Sequence, residues 1–89
     1  MIMENKILIK LVIPEIGKEY DMFVPINRKV GNIIILLNKL FSDEINNVIP
    51  LNNFTELYDG DSGERLEIDT ILKNTTIRNN SKLILLSNK

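Results

Sequence analysis

The sequence contains no cysteine and no histidine. The first absence rules out disulfides and thiolate metal sites, so the chain must hold together by packing alone. The second removes the usual general base near neutral pH, the Ser–His and Cys–His nucleophile pairs, and the commonest metal ligand. An excess of positive charge is missing as well: Lys and Arg number 11 against 12 Asp and Glu, a net charge of -1. A nucleic-acid binder normally shows a basic face or stripe, and a peripheral lipid binder a polybasic cluster. No nucleic-acid partner is expected. The longest apolar run, Ile33-Ile34-Ile35-Leu36-Leu37, falls far short of the ~20 residues a membrane span needs, so direct membrane insertion is not expected either. The opening residues, Met1-Ile2-Met3-Glu4-Asn5-Lys6, carry no basic segment followed by a long apolar stretch. No signal peptide is expected, and the expected location is cytoplasmic.

What is present suits one small domain. A chain of 89 residues buries roughly 60–65% of its unfolded surface, enough for one sheet and one helix around a single core. The composition, 44% hydrophobic and 26% charged, is ordinary for a globular protein. No repeat, linker or low-complexity tract divides the chain, so residues 1–89 are read as a single domain.

Ile7, Ile9, Leu11 and Ile13 recur at period two, with Leu8, Lys10 and Val12 between them. This predicts a strand, and an internal one, because its second side is also largely apolar. Pro14-Glu15-Ile16-Gly17-Lys18 supplies turn chemistry. Tyr20, Met22 and Val24 alternate with Glu19, Asp21 and Phe23, predicting a second strand paired to the first as a hairpin. Pro25 stops it, and Asn27 is the expected cap of a helix beginning near Arg28. Val30, Ile33, Leu37, Leu40 and Phe41 recur at three- and four-residue spacing, an apolar stripe that Ile34 and Leu36 widen. Gly31 costs about 1 kcal/mol relative to Ala within a helix, which points to a close helix–sheet approach there.

Ser42 to Asn53 is polar, Asn-rich and interrupted by Pro50, and reads as a loop. Phe54 to Tyr58 is expected to form a third strand, Asp59 to Gly63 a turn, and Arg65 to Ile68 a short fourth strand. Asp69 to Asn74 is expected to make one helical turn with Leu72 inward. Asn79-Asn80-Ser81 is a further turn, and Lys82 to Leu86 the last strand. The order strand, strand, helix, strand, strand, strand predicts an α+β fold of β-grasp type. The mixed sheet would have order 2-1-5-3-4, with one main helix on one face and the last strand parallel to the first.

Candidate chemistry is sparse. Asp59-Gly60-Asp61-Ser62-Gly63-Glu64 partly resembles the start of a calcium loop. It places Gly63 at the fifth position, Glu64 at the sixth and Thr70 at the twelfth, where such a loop needs an oxygen ligand, a Gly and a bidentate Glu. A solvated hairpin turn is the expected reading. The Gly60 to Gly63 spacing lacks the Lys-Ser/Thr and helix start of a phosphate loop. No catalytic residue, cofactor site or metal site is expected, and the chain is not read as an enzyme.

With the segments in order, the chain resembles ubiquitin over nearly its whole length. The resemblance rests on Gly17-Lys18 in the first turn, Tyr20, Met22 and Val24 on the second strand, and Val30, Ile33 and Leu37 on the helix. Leu72, Ile77, Leu83 and Leu85 carry it near the end. A closer resemblance is to the small ubiquitin-like proteins of bacterial type VII (WXG100/ESX) secretion loci, the YukD/EsaB family. Tyr20-Asp21-Met22-Phe23-Val24-Pro25 looks like that family's second strand, and Lys29-Val30-Gly31-Asn32-Ile33 like its helix start. The stretch from Arg65-Leu66 to Leu83-Ile84-Leu85-Leu86 looks like its terminal strands. The family occurs largely in Gram-positive bacteria, and its members are viewed as cytosolic accessory or regulatory components of the secretion machine. The resemblance therefore implies secretion-system proteins as partners. A free-standing β-grasp adaptor of another pathway stays open, as does homo-oligomerisation. Conjugation or sulfur carriage by ubiquitin-like proteins requires a C-terminal Gly-Gly. This chain ends Ser87-Asn88-Lys89, so neither activity is expected.

A binding surface remains. If Ile7, Ile9, Leu11 and Ile13 face the helix, Leu8 and Val12 face outward, and the same alternation turns Ile84 and Leu86 outward on the last strand. With Tyr58 these make a candidate protein-interaction patch. The competing reading is an internal strand that is apolar on both sides without binding anything.

Overall fold

The computed structural model describes residues 5–41 and 54–87. Its strands are β1 (Lys6–Ile13), β2 (Lys18–Pro25), β3 (Glu56–Asp59) and β4 (Lys82–Leu86), and the helix α1 spans Val30–Leu40. Short 3₁₀ turns lie at Pro14–Ile16 and Leu72–Asn74. The sheet order is β2-β1-β4-β3. β1 pairs antiparallel with β2, from Lys6 opposite Pro25 to Ile13 opposite Lys18. It pairs parallel with β4, Leu11 lying beside Leu83, and β3 closes antiparallel on β4. This is the β-grasp arrangement.

The period-two reading of β1 holds on both sides. Ile9, Leu11 and Ile13 are buried to 1% exposure or less, and they meet Val24, Leu83, Leu85 and the helix residues Val30, Ile33, Ile34 and Leu37 in one core. Phe41, Phe54, Leu57, Leu66, Leu72 and Ile77 complete it. Fully burying each such side chain is worth roughly 1.5–3 kcal/mol. The turn after β1 follows its chemistry: Pro14 begins the 3₁₀ turn and Gly17, at φ +65°, ends it in the left-handed region, where only glycine sits without strain. The Leu72 turn is present with its side chain fully buried.

Three expectations fail. The first is the fourth predicted strand, Arg65 to Ile68, which leaves the mixed sheet with four strands rather than five. The chain touches β3 only briefly: Asp59 donates to the Glu64 carbonyl at 2.8 Å and Leu66 to the Leu57 carbonyl at 2.9 Å. It then turns away, because the carbonyls of Ile68 and Thr70 accept the N–H groups of Gly31 and Val30, both at 2.9 Å. The same bonds explain the second failure. Asn27 does not cap α1; Lys29 occupies the N-cap position and makes no side-chain capping bond. Main-chain carbonyls from 68–70 do that work instead, satisfying donors that a free helix end leaves open. Gly31 eases this contact, since a Cβ there would lie tightly, 3.2 Å from the Ile68 carbonyl oxygen; the close approach at Gly31 is to this segment and not to the sheet. Third, Leu36 and Leu40 belong to no buried stripe: they are 42% and 62% exposed. The predicted loop 42–53 lies outside the described residues.

Asn38 clasps the helix to the segment leading into β3, a role that periodicity does not reveal. Its side-chain NH2 donates to the Ile34 and Phe54 carbonyls at 3.0 and 2.8 Å, and its Oδ1 accepts the Phe54 N–H at 2.9 Å. Asn38→Leu keeps the volume but strands both Phe54 backbone groups. Each lost partner costs about 1–3 kcal/mol, and a urea unfolding midpoint lowered at unchanged slope is the expected result.

Candidate protein-interaction face

The sheet presents two faces, and the strand registers fix which side chains share each. Inward-facing residues pack under α1. On the other face the register sets Val12 beside Ile84 and Ile84 opposite Tyr58, a row across β1, β4 and β3. Leu86 follows two residues along β4 from Ile84, on the same face and opposite Glu56. These four side chains are all half-buried and form one contiguous apolar strip.

Leu8, also half-buried, does not join that strip. Lys10 separates it from Val12 along β1, and its cross-strand partner is Phe23, which is 49% exposed. A charged row, Asp21 opposite Lys10 on β1 and Lys82 next to Lys10 on β4, lies between the two apolar areas. Sequence alternation identified the face but not this division, because the division depends on the register between strands far apart in the chain.

The rim of the strip is held by polar contacts. Arg65 and Glu56 form an ion pair at 3.3 Å, and the Tyr58 hydroxyl points to the same carboxylate at 3.4 Å. At the other end, the Ser87 N–H and hydroxyl both donate to the Glu15 carboxylate at 2.7 Å. Glu15 thereby ties the end of β4 to the turn after β1, a role that turn chemistry alone does not announce.

Asp59 differs most from its sequence reading. It is the last residue of β3 and is buried, at 5% exposure. The Thr76 hydroxyl donates to its Oδ2 at 2.6 Å, while the N–H groups of Asp61 and Ser62 donate to its Oδ1 at 2.9 and 3.3 Å. The carboxylate thus closes its own turn and anchors it to the segment before β4. The Thr76 hydrogen bond, helped by the two backbone amides and opposed by burial, holds the Asp59 carboxyl below its usual range. Among the described residues no three His, Cys, Asp or Glu side chains gather as metal ligands would.

The fold is a ubiquitin-like β-grasp. Solved structures similar to this chain include a ubiquitin-like domain of an Arabidopsis thaliana protein, at 17% identity and TM-score 0.69, covering 100% of this chain and 84% of that one. The C-terminal ubiquitin-like domain of human 2'-5'-oligoadenylate synthetase-like protein is similar at 16% identity and TM-score 0.67, with 100% and 91% covered. A chain of an ESX-5 inner membrane complex is similar at 15% identity and TM-score 0.74, but 94% of this chain spans only 21% of that one. At such identities the likeness shows the fold alone. No protein-family model and no curated protein sequence matches the chain. Among the described residues, no helix is long and apolar enough to cross a membrane.

A carboxyl whose folded pKa is lowered adds stability above its unfolded pKa, about 4, and that contribution is lost as pH falls through the folded value. Removing the Thr76 hydroxyl in Thr76→Val should therefore cost about 1–3 kcal/mol at pH 7. It should also shrink the drop in urea midpoint between pH 5 and pH 2.5. An unchanged drop in the variant would show that the Asp59–Thr76 bond does not drive it.

Proposed function

We propose that this chain is a non-enzymatic ubiquitin-like interaction domain that serves as a cytoplasmic accessory or regulatory component of a bacterial type VII secretion system. The observation that carries the binding role is the contiguous apolar strip Val12–Ile84–Tyr58–Leu86, on the sheet face away from α1. Apolar side chains gathered on an otherwise charged surface mark a site that a partner covers, and the Leu8–Phe23 pair across the charged row offers a second anchor. Two further observations support the secretion setting. The runs from Tyr20 to Pro25 and from Lys29 to Ile33 resemble the YukD/EsaB family, and the same fold occurs within a chain of an ESX-5 membrane complex. Its partners would be other proteins of the secretion apparatus.

Affinity capture from the native cell tests the face and the setting separately. Leu86→Asp combined with Ile84→Asp should lose the native partners, and Leu8→Lys should weaken their capture to a smaller extent. Circular dichroism must first show the variants folded. If the folded double variant still captures every partner, the strip is not the contact face. If the partners lost are not secretion components, and deletion of the gene leaves WXG100 protein export normal, the chain is an adaptor of another pathway.

A further inference from the structure

The two margins of the sheet are not alike. The free side of β3 is closed by residues 64–66, through the Asp59–Glu64 and Leu66–Leu57 bonds. β2 forms the other margin, and ladder parity shows what it offers. The Ile26 N–H donates to the Asn5 carbonyl at 2.9 Å, a pair that extends the β1–β2 register by one step. In an antiparallel ladder such pairs alternate. Tyr20, Met22 and Val24 therefore direct their backbone groups to β1, and Glu19, Asp21 and Phe23 direct theirs outward. The β1 side agrees: Leu8 and Lys10, opposite Phe23 and Asp21, send their N–H groups the other way, to Asn79 Oδ1 and the Ser81 carbonyl, both at 2.9 Å. Among the described residues no backbone bond reaches the outward groups of Glu19, Asp21 and Phe23.

Side chains flank this open margin in two different chemistries. Gly31 and Asn38 lie on the flank of α1 that meets Ile68 and Phe54, toward β3. At 3.6 residues per turn, Leu36 and Leu40 fall on the opposite flank, which overlooks β2, and both are exposed. On the outer sheet face the same margin carries Glu19 and Asp21, both exposed, followed by Phe23.

We propose that the β2 margin accepts an extended segment of a partner protein in which basic residues alternate with aliphatic ones. The added strand would bond to the outward backbone groups of Glu19, Asp21 and Phe23. Its residues opposite Glu19 and Asp21 would project on the outer face beside those carboxylates. Its intervening residues would project inward, beside Met22, Leu36 and Leu40. A second copy of this chain fits poorly. An antiparallel register centred on Tyr20 sets Glu19 against Asp21, and one centred on Asp21 sets Asp21 against its own copy; like charges directly opposite are destabilising. Registers shifted toward the end of the strand place Pro25, which has no N–H, opposite Glu19 or Asp21.

Amide hydrogen exchange by NMR on the full chain tests this, using a blocked synthetic ten-residue peptide that alternates lysine with isoleucine and valine. In the free protein the Glu19, Asp21 and Phe23 amides should exchange fast and those of Tyr20, Met22 and Val24 slowly. Saturating peptide should slow the first three at least about tenfold. Glu19→Lys with Asp21→Lys should weaken the peptide about tenfold or more, as should Leu36→Glu with Leu40→Glu; all four positions are exposed, and thermal melts confirm folding. The same peptide N-methylated at alternate backbone nitrogens keeps its charge and should not bind. Undiminished binding of the methylated peptide overturns the proposal. So does protection of the three amides that grows with protein concentration alone, since a second copy then holds the margin. Peptide-induced shifts confined to Val12, Tyr58, Ile84 and Leu86 overturn it too, and leave the outer strip standing as a contact face.

Discussion

The parallel contact between β1 and β4 is the constraint on which the molecule rests. It joins the beginning of the chain to its end, Leu11 beside Leu83 and Val12 beside Ile84. Among the described residues, β3 lies against no strand but β4, and β2 against none but β1. Leu11, Leu83 and Leu85 are wholly buried at this seam. Separating the two strands would therefore expose the centre of the core and divide the sheet into a hairpin and a remnant. The Glu15–Ser87 bonds and the capture of Leu8 and Lys10 by Asn79 and Ser81 reinforce the same seam from its two ends.

The strands and the helix were legible because their information is local. Alternation in 7–13, 18–25 and 82–86 reports burial directly, and the helical spacing of Val30, Ile33 and Leu37 does the same. What escaped was set by groups distant in sequence. Asn38 looks like an ordinary polar helix residue until Phe54 comes to lie beside it. Asp59 looks like the start of a solvated turn until Thr76 is folded onto it. The stretch 65–68 has strand-like composition, yet at its end the Ile68 carbonyl is taken by the Gly31 N–H at the start of α1. The buried helix stripe is narrower than the periodicity predicts for a related reason, since periodicity cannot tell the flank that packs on the sheet from the flank that overlooks its margin.

The candidate face was legible in the same partial way. Alternation places Leu8, Val12, Ile84 and Leu86 on one side of the sheet, but which of them touch, and that Tyr58 lies opposite Ile84, depends on pairings between strands that no local pattern encodes. The fold itself is shared with proteins at 15–17% identity, so it carries little about activity. Discrimination among partners must come from the surface chemistry laid over it. Here that chemistry is sorted by place: an apolar strip on one face, a row of mixed charge beside it, and an acidic, backbone-rich margin at β2.

The start of α1 has a consequence for how the domain comes together. Its first amides are satisfied by carbonyls about forty positions later in the chain, and the helix begins with Val30 and Gly31 and runs through three consecutive isoleucines, all weak helix formers. Such a segment has little reason to coil ahead of the rest. Helix and sheet are thus expected to form together, with the helix start completed only by contacts about forty residues apart in the chain.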